Sequence, residues 1–184
     1  MGVGRAIGHI AVDRIIPLTL KPGGKSANII FADADLDVDL AATEAEKAFT
    51  LNAGQVCSAG TRLFVQRAVY PAFVAVVKRV AEAIVPGETL GRIIAPQQFG
   101  RVQAFFDVAK QDRATLVTGG VPAMVKGQED GFYLAPTIYA DLTNDMRVAR
   151  EEVFGPVGVI IPLDTEQDAI RIANDGDYGL IGTL

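Results

Sequence analysis

The chain contains one cysteine, Cys57, set in the glycine-rich run "NAGQVCSAGTR" at residues 52–62. Backbone amides converge in a loop of this kind, where they lower a thiol's pKa and can bind an oxyanion. Asn52 and Gln55 add side-chain amides to the same loop. A nucleophilic thiol is one reading. A small packing cysteine is the other, and the loop alone leaves both open. A second candidate is "REEVFGPVG", residues 150–158, where Glu151 and Glu152 stand beside a Phe154-Gly155-Pro156 turn. A carboxylate there can accept a hydrogen bond from a sugar hydroxyl, with the Phe154 ring as a pocket wall. It can equally be the solvated acidic end of a helix. A third candidate is "LTLKPGGKS", residues 18–26, whose Gly24-Lys25-Ser26 copies the tail of a phosphate-binding P-loop. That motif needs a glycine five positions before its Gly-Lys pair and a helix after its Ser. Here the position holds Thr19, and "ANIIFA" after Ser26 reads as a strand. The stretch is therefore a turn carrying two lysines. Gly2, Gly4 and Gly8 fit a loosened dinucleotide fingerprint, but only Met1 precedes them where the fingerprint requires a strand. Small residues on a closely packed helix give the same spacing.

The elements that must position these residues follow from apolar spacing. Ala6, Ile7, Ile10 and Ala11 recur at helical intervals over residues 4–14. "IIPLTL" is extended around Pro17, "KPGGKS" is a turn, and "ANIIFA" is a buried strand. "DADLDVD" offers capping carboxylates to a helix running to about Phe49, which the Cys57 loop then breaks. "TRLFVQRAV" is a strand, residues 71–85 a helix opened by Pro71, and residues 97–111 an amphipathic helix. "ATLVTGG", "FYLAPTIYA" and "VFGPVGVIIPL" supply strands. "TEQDAIRIANDG" is a helix with Thr165 as its N-cap, and "YGLIGTL" begins another extended piece. Alternating helices and strands predict an α/β domain with a mainly parallel, doubly wound sheet.

Bulk properties exclude several classes. At 184 residues with 49% apolar and 21% charged residues, the chain can bury a sizeable core and is not a disordered segment. A net charge of −5 without a long basic run argues against nucleic acid as partner. No apolar run reaches the roughly 18 residues of a membrane span, and the first residues lack a secretory signal's pattern. A lone cysteine precludes an internal disulfide and makes a reducing cytoplasm the default compartment. A lone histidine, His9, leaves no His-rich metal site and no Cys-His pair in prospect.

Taken together, "PLTL..GGKSANIIFADADLD", "NAGQVCSAGTR", "GFYLAPTI", "EEVFGPV" and "IRIAND..YGL" resemble the aldehyde dehydrogenase superfamily in order and spacing, over essentially the whole chain. The resemblance implies an aldehyde dehydrogenase-like catalytic domain over residues 18–184, preceded by residues 1–17 as the last helix of a coenzyme-binding domain. It implies NAD or NADP as cofactor, a small aldehyde as substrate, and homo-oligomers among full-length relatives. Cys57 would be the nucleophile, giving a thiohemiacetal and then a thioester that water hydrolyses, with Asn52 in the same active-site loop. Glu152 would hold the nicotinamide ribose and Phe154 would pack beside the nicotinamide. Gly4 would end the cofactor turn, and Gly23 and Gly24 would form the turn near the nicotinamide.

Three departures accompany the resemblance. The family reads Glu-Leu-Gly-Gly-Lys where this chain has Lys21-Pro22-Gly23-Gly24-Lys25. The residue exchanged for Lys21 is the family's general base, and an amine of ordinary basicity is protonated at neutral pH and takes no proton from water. Set against the family, the chain also starts at the end of the coenzyme-binding domain and stops soon after "YGL". The expectation is impaired aldehyde oxidation by this chain alone. The alternatives are an inactive relative whose exposed apolar edges bind a partner, and a thioester hydrolase or thiol-reactive protein that uses Cys57 without a cofactor.

Overall fold

The computed structural model describes residues 2–33 and 38–184. Six strands form one sheet: β1 (Ala27–Ile30), β2 (Arg62–Gln66), β3 (Thr115–Thr118), β4 (Thr137–Ala140), β5 (Val157–Leu163) and β6 (Gly182–Thr183). Their spatial order is β3-β4-β5-β2-β1-β6. Only β3 runs antiparallel to its neighbour; the β4/β5, β5/β2, β2/β1 and β1/β6 pairs are parallel. The sheet is therefore the mainly parallel one that the alternation of elements predicted.

Helices cover both faces, as parallel sheets require. On one face lie α2 (Val38–Thr50) and α3 (Tyr70–Glu82). Their Ala42, Ala45, Phe49, Phe73, Val77 and Ala81 pack on Leu63, Val65, Ile138 and Ile160. On the other lie α4 (Pro96–Gln111), α5 (Arg147–Arg150) and α6 (Glu166–Asn174). Val102, Phe105, Phe106, Val148 and Ala169 from these helices meet Phe64, Tyr139, Val159 and Ile161. The two-residue period of a strand produces the split: Leu63 and Val65 point one way, Phe64 the other. In register, Leu63 stands beside Ile160 and Phe64 beside Ile161, so each face is continuous across β2 and β5.

The ends of the helices follow from named residues. Pro71 and Pro96 sit in the first turns of α3 and α4, where a missing N–H costs nothing. Thr165 and Asp168 form a reciprocal capping box at the start of α6. Asp39 lies in the first turn of α2 and accepts from Arg79 at 2.9 Å; of the other expected capping carboxylates, Asp35 and Asp37 lie outside the described residues and Asp33 lies before the helix. The "FYLAPTIYA" strand starts only after Pro136, because proline lacks the N–H a ladder needs. The one-turn α5 has too few residues to show a period in sequence.

α1 (Gly2–Asp13) buries only Ala11. Val3, Ile7, Ile10 and Val12 are exposed, as are Ile15 and Ile16 after it. Among the described residues, no helix is long and apolar enough to cross a membrane. The capping box supplies the test of this subsection: Thr165→Ala removes the side chain that accepts from the Asp168 N–H. It should lower stability by about 1 kcal/mol, seen as a lower urea midpoint with an unchanged slope.

Candidate active site

The Cys57 loop begins where α2 ends. Asn52, Ala53 and Gly54 all take left-handed backbone, with φ of 53°, 53° and 69°. Asparagine and glycine adopt this conformation readily; Ala53 does so at a cost of roughly 1–2 kcal/mol. The three residues turn the chain sharply and deliver Cys57, half-buried, ahead of β2. Side-chain amides staple the loop. Asn52 Nδ2 donates to the Gln55 carbonyl at 3.2 Å, and Gln55 Nε2 donates to the carbonyls of Asn52 at 3.1 Å and Arg92 at 3.3 Å. Gln55 Oε1 accepts from the Ile94 N–H at 2.9 Å, tying the loop to the segment before α4. Asn52 thus lies on the Cys57 loop, with its amide spent on holding the loop's shape.

Two close backbone approaches bring the other candidates to this loop. Gly24 is buried, and a Cβ on it would stand 2.5 Å from the Cys57 carbonyl oxygen. Its N–H donates to Glu152 Oε1 at 3.1 Å, across 128 residues of sequence. Gly23, at φ +102°, leaves room for the same carboxylate, whose carboxyl carbon would lie 2.7 Å from an added Cβ. At Gly54 a Cβ would run into the backbone of Gly155, so the Cys57 loop also rests on the Phe154-Gly155 turn. Cys57, Gly23, Gly24, Glu152 and Phe154 therefore share one place. Gly4 stands further off: an added Cβ would be 3.9 Å from Leu20 and Pro22, on the approach to that place. Lys21 lies exposed on the same approach, in a segment without regular secondary structure.

α4 clamps the Glu152 side of the junction. Gln98 Nε2 donates to the carbonyls of Val153 at 3.0 Å and Phe154 at 2.9 Å, and Arg101 donates to the Glu152 carbonyl at 3.0 Å. These bonds hold Phe154 at a φ of +58°, a conformation rare for a bulky residue. The sequence reading missed both clamps. Their partners lie more than fifty residues away, and nothing local marks a helical glutamine or arginine as one that will reach a distant carbonyl.

Lys25 is the electrostatic anomaly. It is 3% exposed, and among the described residues its Nζ and the neighbouring Ser26 Oγ have no hydrogen-bond partner. Burial first, and the Arg62 guanidinium second, push the amine's pKa down from 10.5 to about 7, against the upward pull of Glu152 and Glu151. Lys25, Ser26 and Arg62 line a polar cavity of about 340 Å³ with Asn174 and Tyr178. A charge in "GGKSANII", just ahead of a buried strand, was the available signal for this. Because the folded pKa lies below the unfolded one, the folded chain carries a penalty that is full below pH 7 and vanishes as pH rises to 10.5. Lys25→Met should therefore be more stable than the parent at pH 6, with the advantage shrinking steadily between pH 7 and 10. Melting temperatures of both proteins across that range test it; a gap that stays constant with pH would show that the amine is not desolvated.

The chain is similar to known proteins in both sequence and structure. The sequence profile of the aldehyde dehydrogenase family matches residues 1–184. Betaine aldehyde dehydrogenase of Rhizobium etli is 39% identical over 97% of this chain, which spans 37% of that protein. Among solved structures, the aldehyde dehydrogenase KauB from Pseudomonas aeruginosa superposes with a TM-score of 0.93 at 36% identity, over 98% of this chain and 37% of that one. An indole-3-acetaldehyde dehydrogenase complexed with NAD+ gives a TM-score of 0.92 at 36% identity over the same shares. The chain thus spans about 37% of the length of the relatives it matches. The loop around Cys57, the glycine pair and the Glu152 turn are those of a chain that belongs to the aldehyde dehydrogenase family.

Proposed function

We propose that this chain carries the catalytic segment for NAD(P)-dependent oxidation of an aldehyde to a carboxylic acid, with Cys57 as nucleophile. One observation carries the reading. The Gly23-Gly24 segment, the Cys57 loop and the Glu152-Phe154 turn meet through backbone contacts too close for any side chain at Gly24 or Gly54. We assign residues 18–184 to the catalytic domain and residues 1–17 to the end of a coenzyme-binding domain; the exposed apolar face of α1 supports that division.

The Cys57 thiolate attacks the aldehyde carbon, and the carbonyl π electrons move to oxygen. On this reading the Cys57 backbone N–H donates to that oxygen. A nicotinamide dinucleotide, when bound, supplies the acceptor for the hydride. Glu152 suits a ribose hydroxyl: one oxygen accepts the Gly24 N–H, and the remaining lone pairs are open to a hydroxyl donor. The half-buried Phe154 ring offers the adjoining wall, with Gly23 and Gly24 packed against Glu152 and the Cys57 loop and Gly4 on the approach. Oxidation leaves a thioester on Cys57. Water then attacks the acyl carbon, the C–S bond breaks, and the thiolate leaves.

The last step is where this chain departs from its family. The attacking water must lose a proton, and Lys21 offers no carboxylate to take it. Acylation is therefore retained and deacylation is slow, so aldehydes should give little steady-state NADH. A second reading, in which the chain binds a partner instead of turning over, is favoured by the same lysine and by the apolar stripe of α1.

An activated ester separates the two halves of the chemistry without cofactor. With p-nitrophenyl acetate the chain should release one equivalent of p-nitrophenol per Cys57 in a burst, then turn over slowly. Cys57→Ala should abolish the burst. Lys21→Glu should keep it and raise the steady rate by on the order of 10². No burst would sink the nucleophile; an unchanged steady rate in Lys21→Glu would sink the role given to position 21.

A further inference from the structure

Arg62 opens β2, five residues after Cys57, and its side chain is 5% exposed. A buried guanidinium is ordinarily paired with a carboxylate. This one is given to neutral acceptors instead. Nε donates to the Lys25 carbonyl at 2.8 Å, one terminal nitrogen to Asn144 Oδ1 at 3.0 Å and the Ile172 carbonyl at 3.4 Å, and the other to the Ala173 carbonyl at 3.1 Å. The plane lies 5.1 Å over the Phe64 ring. Ile172 and Ala173 belong to the last turn of α6, where carbonyls lack intrahelical donors and a cation is favoured.

The Lys25 carbonyl is the informative partner. It directly follows Gly24, whose N–H binds Glu152 and whose Cα abuts the Cys57 carbonyl. The Arg62 backbone N–H meanwhile donates to the Ser26 carbonyl at 3.1 Å. Arg62 thus grips the glycine segment on two consecutive carbonyls, from the strand that the Cys57 loop leads into. With α6 as anchor for the far side of the fork, the guanidinium fixes how far the glycine segment stands from the loop. A lysine could not replace it, because one ammonium cannot span acceptors on three separate elements.

We propose that Arg62 is a positioning residue of the Cys57 site, holding the Gly23-Gly24 segment against the nucleophile loop and Glu152. The inference rests on the reading of Cys57 as nucleophile. It is tested on the 184-residue chain by the rate of the p-nitrophenyl acetate burst as a function of ester concentration, with circular dichroism to confirm folding. Arg62→Lys should lower the limiting acylation rate on the order of 10–10²-fold, while the ester concentration giving half that rate stays unchanged. Thr165→Ala, which loosens α6 from its other end, should lower the melting temperature yet leave the acylation rate within about twofold, since it touches neither the glycine segment nor the loop. A folded Arg62→Lys with the parent's rate overturns the proposal, and so does an equal loss in Thr165→Ala. Should Arg62→Lys not fold, Asn144→Ala decides. It removes one acceptor from the fork and should slow acylation by about threefold; an unchanged rate overturns the proposal. A parent chain without any burst removes the nucleophile reading and this proposal together, whereas a parent burst unaltered by the Arg62 variants removes this proposal alone.

Discussion

Everything at the candidate site depends on a contact that exists because a side chain is absent. Gly24 lies so close to the Cys57 carbonyl that a methyl group would stand 2.5 Å from the oxygen. The same residue gives its N–H to Glu152. Gly54 repeats the arrangement against Gly155 on the other side of the loop. Three segments far apart in sequence are thereby set at backbone-to-backbone distance, which side chains on flexible stems could not achieve with equal precision. Such contacts are short but not strong, so the segments need anchors further out. Gln55, Gln98, Arg101 and Arg62 serve as these, each donating to backbone carbonyls, with Arg62 giving one further bond to the Asn144 side chain.

The sheet explains why these segments can meet. Residues 21–26 lead into β1, residues 52–61 into β2 and residues 151–156 into β5. These three strands are parallel and lie next to one another in the order β5-β2-β1. Segments entering adjacent parallel strands necessarily gather at the same, amino-terminal edge. In open α/β sheets, ligands ordinarily sit beyond the carboxyl ends of the strands, at a switch in strand order. The cluster here occupies the opposite edge, so this sheet does not cradle a dinucleotide by the usual geometry. Under the proposed function it presents a nucleophile and a ribose acceptor to a cofactor that is gripped from elsewhere.

This division between local and distant causes also sets what the sequence could reveal. Helices and strands were legible because their signals are local: Phe73, Val77 and Ala81 recur at helical spacing, and Thr165 with Asp168 announces a cap three residues wide. Cys57 and Glu152 were legible as chemistry because glycine-rich loops around a thiol, and carboxylates beside a Phe-Gly-Pro turn, are unusual in composition. Gly24 was not legible as a point of contact, since nothing near it points to a carboxylate 128 residues away. Ala53 in left-handed backbone was hidden for a related reason: only the surrounding packing overrides its intrinsic preference. Arg62 and Lys25 stood in plain view as charges bordering apolar strands, an anomaly that asks where the charge goes without saying what receives it.

The two buried cations also bear on Glu152. Lys25 feels the pull of Glu152 and Glu151, yet burial and the repulsion of Arg62 outweigh both carboxylates and bring its amine to about 7. An amine held there is charged only in part at neutral pH, so it does not neutralise Glu152 as a surface lysine would. Glu151 is meanwhile paired with Arg147 at 2.8 Å, and among the described residues Glu152 enters no salt bridge. Among the described residues its carboxylate is oriented by one backbone N–H, that of Gly24. A carboxylate in that condition is a better acceptor for a hydroxyl than one already bound to a cation, because no ion pair has to be broken before the ligand's hydrogen bond forms. The electrostatics around Lys25 thus leave Glu152 without a fully charged buried neighbour, which under the proposed function keeps it available for a ribose hydroxyl, while the same reading lacks a base at Lys21. Under the proposed function, binding and acylation rest on one set of residues and hydrolysis is impaired at another.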